Sequence, residues 1–131
     1  MKPLFDLFEL GGRVFIALLF VVAGYGKLGA GYAGTAGYME SVGVPGLLLP
    51  LVIALELGGG LLIIAGFQTR IVAFLLSGFS LLSALLFHNN FADQMQSILF
   101  MKNIAIAGGF LFLVVHGAGK FSVDSKLASK A

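Results

Sequence analysis

The chain has no cysteine, and only 11% of its 131 residues are charged. The first absence removes Cys-ligated iron–sulfur clusters, haem attached through C-x-x-C-H, thiol chemistry and disulfides. The second removes a soluble surface, because a soluble domain of this length carries about twice that charged fraction. With 59% hydrophobic residues and a mean hydropathy of +1.03, the solvent implied is lipid. A net charge of +2 is too small to point to nucleic acid, and no such partner is expected. No G-x-S-x-G, P-loop or H-E-x-x-H pattern occurs. The glycines of "ELGGGL" at 56–61 lie inside an apolar run and follow no strand, so they do not read as a phosphate cradle.

Four long apolar runs are present: 7–25, 47–67, 71–87 and 98–115. Each approaches the ~20 residues that a helix needs to cross ~30 Å of hydrocarbon. In lipid, backbone groups must be satisfied within the segment, so these runs are helices rather than strands. The expectation is an all-α, up-down-up-down bundle of four transmembrane helices, over about 7–28, 46–67, 70–88 and 97–117. It forms a single domain, 1–119, followed by a polar, mobile tail, 120–131. Gln68-Thr69 is a tight turn, and Gly43-Val44-Pro45 reads as a helix stop. A short surface helix over 35–42 is expected there, as a plain connector rather than a lid. Small residues pair at four-residue spacing (Ala54 and Gly58, Ala73 and Ser77, Ser80 and Ala84, Ala105 and Gly109). Such pairs let membrane helices pack closely within the bundle, with a homo-oligomer face as the alternative.

Lys2, Arg70, Lys120, Lys126 and Lys130 fall on one side of four crossings, and Lys27 stands alone on the other. By the positive-inside rule both termini are cytoplasmic. Asp6, Glu9 and Arg13 interrupt the approach to the first apolar stretch, which argues against a cleaved signal peptide.

An ionised residue deep in a span costs ~2.5–3.5 kcal/mol on insertion scales and faces a partner or a wet cavity. Glu56 is the deepest acid, near mid-membrane. Helix rise places Arg13 below it and Lys102, with Asn103, above it, so these two bases are its expected partners. The pocket they imply opens toward the outer half between the first, second and fourth helices. Each residue also has a plainer reading. The trio can merely fix helix register, Arg13 can snorkel, Lys27 can anchor at the interface, and His88 can be a solvated loop residue. His116 reads as a cap at its helix end. His88 and His116 sit at opposite ends of their helices, roughly 25–30 Å apart by helix rise, so they cannot clamp one haem.

The chain resembles the DoxX family of four-helix bacterial inner-membrane proteins along nearly its whole length. The resemblance rests on "GRVFIALLFVVAGYGKL" with Arg13, Gly24 and Lys27, and on "YMESVGVPG" with Tyr38, Glu40, Gly43 and Pro45. It also rests on "LELGGGLLIIAGFQTR" with Glu56, Gly66 and Arg70, and on "FMKNIAIAGGFL" with Lys102, Asn103 and Gly108. It implies a multi-pass protein of the bacterial inner membrane, associated with quinone-linked redox chemistry. No haem or iron–sulfur cluster is expected, and no covalently bound cofactor. A quinone or lipid ligand, or a partner oxidoreductase, would bring the redox group. In that reading Lys102, Asn103 and His88 donate hydrogen bonds to quinone carbonyls and Glu56 carries the proton. Arg13 and Lys102 complete the charged centre, and Lys27, Tyr38 and Glu40 line the outer rim of the binding site. No metal ligands are expected. Two other classes remain open: a scaffold for an oxidoreductase, and a small proton-coupled transporter.

The topology is testable with reporter fusions at Gly34 and at the C-terminus. They should report opposite sides of the membrane; both on one side would refute four crossings.

Overall fold

The computed structural model describes residues 2–130, all helices and connections, with no strand among them. The first span is α1, Lys2–Gly26, and a shorter helix, α2, covers Ala30–Ser41. The second span, α3, runs Gly46–Ala65. The third and fourth are α4, Thr69–Phe87, and α5, Gln94–His116. A last helix, α6, covers Val123–Lys130. The four spans are each long and apolar enough to cross a membrane.

Several ends have local causes. Asp93 accepts a hydrogen bond from the Met95 N–H at 3.0 Å, which caps α5 and starts it at Gln94, three residues before the expected 97. Gly66 takes the left-handed conformation (φ 74°) that ends α3, with the Phe67 N–H on the Leu62 carbonyl at 3.0 Å. The connector helix is longer than expected, and the polar tail carries a helix over Val123–Lys130. The α3 span is not regular: Ala54–Gly58 form one turn of π-helix, the wider winding that often marks a functional position.

The helices pack in two ways. Facing α3, α1 comes very close: a β-carbon at Gly24 would lie 2.8 Å from the Leu57 backbone nitrogen. α5 meets the bundle almost wholly through α4, where the Ser77 hydroxyl donates to the Ala107 carbonyl at 3.0 Å. Between them Ala17, Phe20, Ile63, Val72, Ala73, Leu76 and Phe110 form the main core. Met39 of α2 packs on Leu49 and Ile53 of α3 in a smaller cluster. The exposed faces are apolar where lipid would touch them, as at Phe15, Val22, Phe74 and Phe112.

One end of the bundle is knotted by the tail. Arg13 is buried there, and it donates to the carbonyls of Ala118, Ile64 and Phe121. The Asp124 carboxylate accepts from the Gln68 and Thr69 N–H groups at 2.8 and 2.9 Å, so it satisfies two orphan donors at the start of α4. Its own N–H bonds the Gly66 carbonyl at 2.9 Å. Burial alone would raise the Asp124 carboxyl. The hydrogen bonds from Thr69 and Gln68 and the nearby Arg13 charge outweigh it and hold the group below the usual carboxylate range.

A group whose folded pKa is depressed stabilises above its unfolded value and loses that contribution as pH falls through the folded one. Asp124→Ala should therefore lower stability by about 1 kcal/mol at neutral pH, the usual size of a lost helix cap. Thermal unfolding in detergent should show the gap to wild type in full at pH 7. The gap should close as the pH drops below the ordinary carboxylate range.

Candidate functional site

Glu56 lies in the π-helical turn near the middle of α3, and it is buried. The lysine that meets it is Lys27, just past the end of α1: Nζ stands 2.7 Å from Oε1. The Lys27 side chain keeps 24% of its surface exposed and that of Glu56 7%, so the pair joins a deep acid to a wetter cation. Beyond this contact ion pair, Oε1 has no hydrogen-bond donor among the described residues. A buried carboxylate oxygen with one donor has a second lone pair for a water or a ligand donor.

This corrects the expected pairing. Gly24 is level with Leu57, so α1 ends less than a turn above Glu56 and its terminal lysine is within reach. Arg13 is held by three carbonyls at the far end, beside Gly66, ten residues and roughly 15 Å from Glu56 by helix rise. It neither snorkels nor meets Glu56. Lys102 is exposed at the edge of a cavity that also reaches Glu56, but it makes no ion pair with the acid among the described residues.

Two cavities share Glu56. The larger, about 370 Å³, lies between α2, α3 and α4. Its walls are apolar, with Leu51, Val52, Leu55, Phe79, Leu82 and Leu86 prominent. Its polar groups are Lys27, Thr35, Tyr38, Ser83, His88 and Glu56. α2 thus closes one side of a cavity instead of acting as a plain connector, with Thr35, Tyr38 and Met39 contributing. Tyr38 stacks on Phe87, with ring centroids 5.6 Å apart. The smaller cavity, about 150 Å³, is bordered by α1, α3, α4 and α5, and Ser80, Ser83, His88, Lys102 and Asn103 join Glu56 there. The third span therefore supplies walls to both cavities, where the sequence pointed to the first, second and fourth.

The remaining site candidates separate. His88 is half-buried, borders both cavities, and has Nδ1 3.3 Å from the Gln96 amide oxygen, so it is not a solvated loop residue. Asn103 is half-buried and borders the smaller cavity. Glu40 is exposed and borders neither. His116 stays at the other end, stacked on Phe112. Ser83 and Thr35 were not singled out in the sequence, where one hydroxyl in an apolar helix carries no distinguishing signal.

Four helices each long and apolar enough to cross a membrane define an integral membrane protein, with a charged pair beside an apolar cavity in one half of it. The DoxX family model matches residues 8–89, and the chain belongs to this family. It is 53% identical over 130 residues to the inner membrane protein YqjF of Escherichia coli (strain K12), covering 99% of each chain. It is 36% identical over 121 residues to the inner membrane protein YphA of the same organism, 87% of this chain and 86% of that one. A 75-residue match, 36% identical, links it to a Bacillus subtilis (strain 168) protein named "Putative oxidoreductase CatD", over 57% of this chain and 55% of that one. No solved structure matches the chain. It is a protein of the inner membrane.

Breaking a fully buried ion pair costs ~3–5 kcal/mol; Lys27 is partly exposed, so Lys27→Met should cost less, about 2 kcal/mol. Adding Glu56→Leu to that variant should recover most of the loss in thermal unfolding. A double variant no more stable than Lys27→Met would show that the unpaired acid is not the source of the loss.

Proposed function

We propose that this protein holds a quinone, or an amphiphile of the same shape, in the larger cavity and serves as a quinone-linked accessory to a partner oxidoreductase. The observation that carries the reading is the Lys27–Glu56 pair at the polar edge of an otherwise apolar cavity of about 370 Å³. That volume lies within the ~300–1,000 Å³ typical of small-molecule sites, which are mostly apolar with a few placed polar groups. Glu56 Oε1 has Lys27 as its one donor among the described residues, and the carboxylate keeps acceptor capacity for a ligand. The name of the Bacillus subtilis relative, which includes the word oxidoreductase, agrees with a redox role.

A bound quinone would supply two carbonyl acceptors, and its reduction to quinol takes up two electrons and two protons. The partner oxidoreductase provides the electrons. Lys27, Tyr38 and Ser83 can donate hydrogen bonds to a carbonyl oxygen. Glu56 holds or releases a proton at its carboxylate, with the Lys27 ammonium balancing the charge. Leu51, Val52, Leu82 and Leu86 exclude water from the tail. In this reading the knotted end, which carries Arg70 and the tail lysines, faces the cytoplasm, and the His88 end faces outward.

Equilibrium binding of a short-chain ubiquinone to the protein in lipid nanodiscs tests this. Wild type should bind saturably with an affinity that varies with pH. Val52→Phe should weaken binding at least tenfold by filling the cavity. Glu56→Gln should fold and bind without the pH dependence. An absence of saturable binding, or indifference to Val52→Phe, would overturn the proposal.

A further inference from the structure

We propose that the smaller cavity is an aqueous half-channel that connects Glu56 with the His88 end of the bundle, and that Glu56 has no water connection to the other end. The role of that water, proton exchange for the bound quinone, rests on the function proposed above; the passage itself does not.

Two observations converge. The first is the polar lining. From His88 at the end of α4, Ser83 and Ser80 descend the same helix by about 7 and 12 Å of rise, toward the depth of Glu56. Asn103 and Lys102 face the same cavity from α5. Lys102 is exposed, which puts a hydrated cation at the cavity's edge. A volume of about 150 Å³ is room enough for several waters, and Glu56, Ser80, Ser83, His88, Lys102 and Asn103 give them polar partners beside the apolar Leu19, Phe20, Ala23 and Phe79. Glu56 Oε1, on a carboxylate more than nine-tenths buried, has no donor at this junction beyond the Lys27 ammonium.

The second is what lies on the other side. Between Glu56 and Phe67 the second span has no polar side chain, nor has the third between Arg70 and Ser77. The first span has none between Arg13 and Tyr25, and the fourth none between Asn103 and His116. These four apolar lengths meet at one depth in the main core, where Ala17, Ile63, Ala73, Leu76 and Phe110 are fully buried. Gly59 and Gly60 are buried against Leu76 and Val21 respectively, so α4 and α1 close on α3 at this level. Water reaches the acid from one face and meets a dry septum of about two helical turns on the other.

The lack of cysteine permits a direct test in the full-length protein. Single variants Ser83→Cys and Glu56→Cys would be treated in sealed cells and in inverted vesicles with a small, charged, membrane-impermeant methanethiosulfonate. Gly34→Cys and Lys126→Cys mark the two sides. Ser83→Cys leaves the Lys27–Glu56 pair intact, and so remains informative if Glu56→Cys does not fold. Both cavity variants should label from the Gly34 side and not from the Lys126 side, by a rate difference of at least tenfold. Labelling from the Lys126 side, or equally from both, would overturn the septum. No labelling of Ser83→Cys from either side would overturn the aqueous passage and indicate a crevice filled by lipid. Because no quinone is present, failure here is separate from failure of the ubiquinone binding experiment.

Discussion

A carboxylate in the middle of an apolar helix must be answered by a cation within a side chain's reach, and the rest of the site follows from how that is met. Glu56 cannot use a base on its own span, since Leu47 to Phe67 contains none. It uses Lys27, which the close approach of α1 at Gly24 brings to the right depth. That approach leaves α4 and α2 to close the opposite side, and the space between them becomes the larger cavity. The pair thus fixes which helices touch and which stand apart, and it sets a charged centre beside an apolar cavity in one half of the bundle.

The other half is organised around Arg13, with a different logic. A guanidinium presents donors in a rigid fork, and here three backbone carbonyls share it, one from the end of α3 and two from the connection after α5. These carbonyls lie near the ends of α3 and α5, where intrahelical donors run out. Arg13 therefore closes helix ends instead of serving a pocket. Asp124 does the complementary task at the start of α4. Together they bind the tail to the bundle with polar bonds at a place where lipid no longer stabilises the helices.

What the sequence made legible depended on period and length. Four apolar runs specify four spans, because lipid leaves the backbone no alternative. Glu56 was legible as a site residue because a lone acid in such a run is conspicuous. Its partner was not, since depth counted from span ends assumes that helices start level. α1 ends less than a turn above Glu56, so Lys27 sits lower than a rim residue would, whereas Arg13 lies at the far end and Lys102 reaches only the edge of a shared cavity. The helix in the tail was hidden for a related reason. Val123–Lys130 is polar and short, and its order comes from Asp124 meeting a helix end 55 residues away, a contact that no local pattern announces. The part played by α2 was hidden likewise, because a Gly-rich amphiphilic stretch reads as a connector until Tyr38 is seen stacked on Phe87.

The π turn at Ala54–Gly58 has a consequence for the lineage as well as for the molecule. A π turn accommodates one more residue than the α-helix around it, and each residue turns a helix by about 100°. Deleting one residue there would let the span wind regularly, but it would rotate everything on one side of the cut relative to the other. Gly59 and Gly60 could not keep facing Leu76 and Val21 while Glu56 kept facing Lys27. Point changes along α3 can drift one at a time, but an insertion or deletion between Pro50 and Gly66 has no neutral intermediate. The number of residues in that stretch should be held more strictly across descendants of this chain than their identity.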